Sequence, residues 1–286
     1  MITVQDKIID VKRFPDGTQM LLDFEVDVLY RPTPIKIVWC YESEDEALTL
    51  LYLKKHLDNN YKPGYKANVE LFMPYVPNAR MDRVKSDKEV FTLKYFAEVI
   101  NSLNFNVVYT LDAHSDSSLA LIDRINNASP NTIIADVIWN IPEGDSRHLV
   151  VYFPDAGAYK RYKDLTAIAN YPKVYGEKIR NWQTHRIEGL NVVTNSTDLK
   201  GKSVLLIDDI ISYGGTFYHS VLKLKELGAD KIYIYASHVE NAMIDTERGT
   251  LIKLIDDGTV NMLYTTDSIF KTENNEGRNI NVIREF

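Results

Sequence analysis

The stretch "SVLLIDDIISYGGT", residues 203–216, decides the fold. It begins with a continuous aliphatic run, which is typical of a strand buried on both faces of a parallel sheet. Asp208 and Asp209 follow, and carboxylates beside a buried strand must be solvated or bound. A glycine pair at 214–215 then leads into a helical pattern over 216–227. The stretch predicts a strand, a turn that could hold a ligand, and a helix.

Short apolar strands alternate with helical patterns on both sides of this stretch. The strand patterns lie at 36–40, 69–75, 106–114, 148–157, 203–209 and 231–238. Helical patterns occupy 44–57 and 159–169, and "SDKE" (86–89) has the form of a capping box before a helix. That helix is expected to present Phe96, Val99, Ile100 and Leu103 on one face. Such alternation predicts an α/β fold with two doubly wound parallel-sheet domains.

A turn-rich cluster, "NNASPNT" at 126–132, marks the expected boundary between the domains. The N-terminal domain is therefore predicted at 1–131 and the C-terminal domain, which carries the glycine turn, at 132–264. The last segment, 265–286, ends in the strand-like "INVIREF". We expect it to return to the N-terminal domain and complete it.

Composition limits the possible environments and partners. The chain of 286 residues has a net charge of −7, which argues against a nucleic-acid surface. Cys40 is its only cysteine, so an intrachain disulfide is impossible and a reducing compartment fits. The N-terminus is acidic where a signal peptide would be apolar, and no apolar run is long enough to span a membrane. We expect a cytoplasmic protein.

The turn after the two aspartates has the chemistry of a sugar-phosphate site. Glycines let a backbone approach a phosphate closely, and N–H groups at a helix N-terminus donate to it. The aspartates could accept from sugar hydroxyls, which together describes a ribose 5-phosphate group. A solvated acid pair at an ordinary strand-turn-helix corner is an equally good reading of this loop alone. The segment 156–186 favours an anionic ligand, because it holds seven Lys/Arg against two acids.

Several further stretches, taken in chain order, carry a resemblance. They are "FPDG" (14–17), "MPYVPNARMDR" (73–83), "TLDAHS" (110–115), "FPDAGAYKR" (153–161), "EKIR" (177–180), "VLLIDDIISYGGT" (204–216) and "ASH" (236–238). In this order they are similar to the motifs of ribose-phosphate pyrophosphokinases, also called phosphoribosyl-diphosphate (PRPP) synthetases. The chain therefore resembles that family from about residue 14 to residue 270, which implies a phosphoribosyltransferase-like fold for both domains.

The resemblance implies transfer of the diphosphoryl group of ATP to the 1-hydroxyl of ribose 5-phosphate, giving PRPP and AMP. It implies catalytic roles for Lys178 and Arg180, and a Mg²⁺ site at His114 and Asp155. The implied ATP-binding residues are Phe14, Asp16, Thr18, Arg80, Met81, Asp82 and His114. The implied ribose 5-phosphate residues are Asp208, Asp209, Ser212, Tyr213, Gly214, Gly215 and Thr216. Phe14 and Asp16 would serve a neighbouring subunit, so the resemblance implies a homo-oligomer, at least a dimer.

Four positions depart from the family pattern. Ser212 and Tyr213 replace the third aspartate and the threonine of Asp-Asp-x-x-Asp-Thr-Gly-Gly-Thr, while Met81 replaces a glutamine and Thr18 a glutamate. Three hypotheses therefore stand. The first is an active synthetase, and the second is a phosphoribosyltransferase that uses PRPP and a base. The third is a non-catalytic regulatory homologue that binds nucleotides or synthetase subunits.

Overall fold

The computed structural model describes residues 1–22, 34–60, 67–180, 187–194, 196–275 and 277–286, without the side chains of 178–180 and 187–189. The chain divides into two compact units. The first comprises residues Met1–Ala128 with Phe286, and the second comprises Ser129–Glu285. No helix in the described ranges is both long and apolar enough to cross a membrane.

The first unit is built on one six-stranded sheet. Its elements are β1 (Ile2–Val4), β2 (Lys7–Ile8), β3 (Val11–Arg13), β4 (Gln19–Leu21), β5 (Ile35–Trp39), α1 (Asp45–Asn60), β6 (Val69–Phe72), α2 (Thr92–Ser102), β7 (Val107–Leu111), α3 (Asp116–Leu121) and β8 (Ile125–Ala128). The strand order is β2-β1-β5-β6-β7-β8, and β3 and β4 form a separate antiparallel pair. Strands β5 to β8 are parallel, and β1 and β2 extend the sheet antiparallel.

The second unit is built on a seven-stranded sheet. Its elements are α4 (Asn131–Asn140), α5 (Glu143–Ser146), β9 (Leu149–Phe153), α6 (Ala156–Tyr162), β10 (Lys173–Arg180), β11 (Ile187–Val193), β12 (Ser203–Ile211), α7 (Gly215–Glu226), β13 (Lys231–Val239), α8 (Leu251–Asp256), β14 (Met262–Thr266) and β15 (Ile280–Ile283). The order is β11-β10-β9-β12-β13-β14-β15. All neighbours are parallel except β11, which runs antiparallel to β10. The predicted α/β class with two parallel-dominated sheets is confirmed.

Each sheet has its own apolar core, and the strands that the aliphatic runs predicted are buried in it. β9 is buried along its whole length, and the first five residues of β12 are buried as well. Helix α7 packs Phe217, Val221 and Leu224 against that sheet, as its sequence stripe predicts. Leu227, the fourth residue of the predicted stripe, is exposed at the helix end, where Gly228 adopts a positive φ of 91°.

The C-terminal segment corrects one expectation about the domains. β15 pairs in parallel with β14, so this strand extends the second sheet and does not return to the first. Its residue Ile280 is buried in the core of the second unit. The physical reason is that an apolar strand can pair with any open sheet edge, and the local sequence does not determine which edge it joins. The units also divide after Ala128, whereas the prediction was after residue 131.

Helix α2 corrects a second expectation. The predicted capping box at 86–89 lies in turns before the helix, and Glu89 accepts a hydrogen bond from the backbone N–H of Lys85. The helix itself begins at Thr92, and its buried face includes Leu93, Ala97 and Ile100. Val99 of the predicted face is 45% exposed. The face of α2 that packs against the sheet determines its orientation, and the capping pattern does not mark its start.

Candidate active site

The aspartate pair lies within β12, not after its end. The strand continues to Ile211, where it still pairs with Val239 of β13. The two carboxylates lie close together, because the side chains of Asp208 and Asp209 are hydrogen-bonded to each other and the N–H of Asp209 also donates to Asp208 at 3.0 Å. Asp209 is only 4% exposed, and Asp208 is half-buried. The pair therefore lies at the carboxyl edge of the sheet, where open α/β sheets bind ligands.

Asp209 has a cationic partner that explains why it can be buried. The guanidinium of Arg161, from the last turn of α6, lies 3.2 Å from the Asp209 carboxylate. A buried carboxylate needs such a partner, since an isolated buried charge is costly. Arg161 also sits in the stretch "FPDAGAYKR". The ion pair thus links two of the motifs that the sequence analysis identified separately.

Asp155 lies near the same edge, at the start of α6. Its Oδ1 accepts hydrogen bonds from the backbone N–H groups of Gly157 (3.0 Å) and Ala158 (3.1 Å), so it caps the helix. Burial raises the pKa of Asp208 well above its usual range, and the carboxylates of Asp209 and Asp155 raise it further. The structure therefore brings together three of the predicted carboxylates, from β12 and the N-terminus of α6.

The glycine turn is held by a segment that follows β13. The hydroxyl of Ser212 donates to the carboxylate of Glu240 at 2.5 Å. The carbonyl of Tyr213 accepts from the backbone N–H of Thr250 (2.9 Å) and from its hydroxyl (3.0 Å). Sequence reasoning missed Glu240 and Thr250, because their partners lie far away in the sequence.

The two glycines of the turn have different structural roles. Gly214 has a left-handed φ of 84°, and a Cβ there would lie 2.3 Å from the Cβ of Leu251. Only glycine fits this backbone and this close approach. Gly215 begins α7, and a Cβ added there would meet no atom of the described chain within 4 Å. Open space therefore borders the first residue of a twelve-residue helix.

Tyr213 supports a cation beside the turn. The guanidinium carbon of Arg248 lies 5.0 Å from the centroid of the Tyr213 ring, which is within cation–π range. Asp245 accepts from Nε (3.2 Å) and Nη2 (3.0 Å) of Arg248. The backbone N–H groups of Arg248 and Glu247 also donate to Asp245, and these bonds, together with those from the Arg248 side chain, lower the pKa of Asp245. The bulky phenol that departs from the family pattern thus has a structural partner, which the sequence analysis did not predict.

In the first unit, the predicted ATP-binding residues Phe14, Asp16 and Thr18 form the tip of the β3–β4 hairpin. Phe14 is 50% exposed. The carboxylate of Asp16 accepts from the hydroxyl (2.7 Å) and the backbone N–H (3.0 Å) of Thr18, and these bonds lower the pKa of Asp16. The tip is therefore internally ordered while its aromatic side chain faces outward.

The other predicted ATP residues of the first unit follow its strands. Arg80 and Met81 are exposed after β6, and Asp82 receives a hydrogen bond of 3.1 Å from Nε of Arg83. His114 is half-buried in the turn after β7. That turn begins at the buried Asp112, which adopts a positive φ of 46°. His114 thus follows the carboxyl end of β7 closely, whereas residues 80–82 lie in the long connection between β6 and α2.

The structure describes only the backbone of the predicted catalytic pair, and it shows no clustered ligands for the predicted metal. The backbones of Lys178 and Arg180 lie in β10 and pair with β11, but their side chains lie outside the described part of the chain. Within the described residues, no group of three or more His, Cys, Asp or Glu side chains is arranged to hold a metal ion. An ion bound here would need substrate oxygens or water to complete its shell, which is usual for Mg²⁺.

Comparison with known proteins identifies the family. The ribose-phosphate pyrophosphokinase of Thermococcus kodakarensis is 30% identical over 235 residues, which cover 80% of this chain and 77% of that protein. The chain belongs to the ribose-phosphate pyrophosphokinase family. The enzyme of the same name from Staphylococcus epidermidis is 28% identical over 270 residues, which cover 94% of this chain and 79% of that protein. No family model matches the chain.

A solved structure independently supports the fold of this member of the pyrophosphokinase family. The phosphoribosylpyrophosphate synthetase of Mycobacterium smegmatis superposes with a TM-score of 0.73 and 20% identity, covering 97% of this chain and 86% of that one. The similarity therefore extends across both units, as the order of the sequence motifs predicts.

Proposed function

We propose that this pyrophosphokinase-family chain transfers the diphosphoryl group of ATP to the 1-hydroxyl of ribose 5-phosphate, giving PRPP and AMP. The observation that carries the proposal is the carboxyl edge of the second sheet. Asp155, Asp208 and Asp209 lie near one another there, and β12 leads directly into a glycine turn at a helix N-terminus. Family membership favours a synthetase over a phosphoribosyltransferase or a non-catalytic homologue.

The sugar phosphate fits this edge by charge and hydrogen bonding. Backbone N–H groups of the turn, with the hydroxyl of Thr216, would bind the 5-phosphate, and the positive end of α7 favours that anion. The open space at Gly215 leaves room for it. Asp208 and Asp209 would accept hydrogen bonds from the ribose hydroxyls, which orients the 1-hydroxyl for attack.

The proposed ATP-binding residues all lie in the first unit, including the tip of the β3–β4 hairpin, except for those that contact the transferring phosphates. Arg80 would contact an ATP phosphate, and Met81 and Asp82 are also proposed to bind ATP. Phe14 and Asp16 would serve the adenine site of a neighbouring subunit, which the outward-facing Phe14 favours, and Thr18 would also bind ATP. The proposed assembly is therefore a homo-oligomer, at least a dimer. We also propose a cytoplasmic location, which a single buried cysteine fits.

Mg²⁺ is proposed at His114 and Asp155. The donor set is compatible, because carboxylate and imidazole groups can each supply one ligand while ATP oxygens and water supply the others. When bound, Mg²⁺ would neutralise charge on the transferring phosphates. Lys178 and Arg180 are proposed to add cationic charge at the same stage, and the basic segment 156–186 favours that role.

The proposal is tested by incubating the purified chain with ATP, Mg²⁺ and ribose 5-phosphate and measuring AMP and PRPP by chromatography. We expect the two products in equal amounts. Asp155→Ala should lower the rate by at least about 100-fold, since loss of one electrostatic contact to a transition state costs that much. Asp164→Ala is the matched control, because Asp164 is an exposed acid shortly after α6.

Two results would contradict the proposal. Consumption of PRPP only when a nucleobase is added would establish a phosphoribosyltransferase instead. Binding of nucleotide without formation of AMP would establish a regulatory homologue.

A further inference from the structure

We propose that Glu240 is a positioning residue for the sugar-phosphate site, where it supplies the negative charge that the turn itself lacks. The family pattern has an aspartate where this chain has Ser212. Ser212 is hydrogen-bonded to the carboxylate of Glu240 at 2.5 Å, although the two residues are 28 positions apart. A carboxylate therefore lies beside the turn, although none of the residues 212–216 is acidic. This inference rests on the proposed function.

The backbone fixes Glu240 where it can act. Its N–H donates to the carbonyl of Ile211 at 2.8 Å, so Glu240 lies beside the last residue of β12. Its own carbonyl accepts from the N–H of Met243 at 2.9 Å, at the start of a short 3₁₀ turn. Both ends of the residue are therefore held, and its carboxylate is directed to the first residue of the glycine turn.

The hydrogen bond determines how Ser212 can meet a ligand. An ionised carboxylate only accepts, so the single hydroxyl proton of Ser212 is donated to Glu240. The oxygen of Ser212 then has only lone pairs left and can accept a hydrogen bond from a sugar hydroxyl. An aspartate at the same position would also be an acceptor only. The Ser212–Glu240 pair therefore reproduces both the charge and the acceptor character of the missing aspartate.

A carboxylate placed at position 212 should take over the role of Glu240. Glu240→Ala should raise the KM for ribose 5-phosphate by about tenfold, which is typical for loss of a hydrogen bond to a charged group. The KM for ATP should stay unchanged. Adding Ser212→Asp to Glu240→Ala should restore the KM for ribose 5-phosphate. Ser212→Asp alone should raise that KM, since it places two carboxylates side by side.

The experiment measures KM and kcat for both substrates in the wild type, the two single variants and the double variant. Glu247→Ala is the matched control, because Glu247 is an exposed acid of the same segment. Glu240→Gln, which keeps the side-chain shape, is included in case Glu240→Ala fails to fold. It should raise the same KM, and melting temperatures report folding.

The outcomes separate this inference from the proposed function. If the wild type forms no PRPP, the proposed function fails. If the wild type is active and Glu240→Ala or Glu240→Gln behaves like Glu247→Ala, Glu240 has no positioning role. A double variant no better than Glu240→Ala would also overturn the inference, because it would show that the charge cannot be relocated.

Discussion

Asp208 is a residue whose ionised form the fold disfavours. Burial and the neighbouring carboxylates of Asp209 and Asp155 raise its pKa well above the usual range. The folded chain therefore holds this proton at pH values where the unfolded chain, with an aspartate pKa near about 3.9, has released it. The contribution of Asp208 to stability is fully present below that unfolded pKa and is lost as the pH rises through the folded pKa.

Asp208→Asn is expected to raise the melting temperature at neutral pH. Asparagine keeps an oxygen for the N–H of Asp209, which now donates to Asp208 at 3.0 Å, but carries no charge. The gain should shrink as the pH is lowered toward about 3, below the unfolded aspartate pKa, where the wild-type group is largely protonated in both states. Calorimetric melting between those pH values measures it. Asp164→Asn, an exposed acid, should show no such gain.

A lower melting temperature of Asp208→Asn at neutral pH would contradict this account of Asp208. It would mean that the ionised carboxylate is stabilised by a partner that outweighs its burial and its acidic neighbours.

At the scale of elements, the junction of β12 and α7 depends on its first glycine. Gly214→Ala is expected to destabilise the chain by at least about 1 kcal/mol, since a non-glycine residue at positive φ costs that much before any steric effect. The clash with Leu251 adds to it. Gly215→Ala is the matched control and should unfold like the wild type. Urea unfolding of the two variants measures the difference, and equal stabilities would contradict the assigned conformation.

The same junction shows what the sequence can and cannot predict. Its aliphatic run predicted the strand and its glycines predicted the turn, because both depend on local preferences. The strand continues past Asp209 because it still pairs with β13, and Arg161 neutralises the carboxylate buried there; no local pattern contains either partner. The contact between Ser212 and Glu240 was equally invisible, since it exists only after β12 and β13 have paired.

Errors elsewhere have the same physical origin. The capping pattern at 86–89 was a valid local signal, but the buried face of α2 determined where that helix begins. The final strand β15 was recognised as a strand, and only its sheet was wrong. Local chemistry therefore predicted the kinds of elements, while long-range pairing decided their ends and neighbours.

At the scale of the whole molecule, the proposed site residues divide between the units. Those assigned to ribose 5-phosphate all lie in the second unit, and Phe14, Arg80 and His114 lie in the first. The sequence relationship to the pyrophosphokinase family and the fold match each extend over both units. If each unit holds its own substrate contacts, binding of the sugar phosphate should depend on the second unit alone.

The most direct measurement is calorimetric titration of ribose 5-phosphate into the wild type, Gly215→Ala and Phe14→Ala. The account predicts one site per chain in the wild type and in Phe14→Ala. It predicts loss of binding in Gly215→Ala, because the added Cβ fills the space beside the turn without disturbing the fold. Undiminished binding in Gly215→Ala would contradict the central claim that the carboxyl edge of the second sheet holds the sugar phosphate.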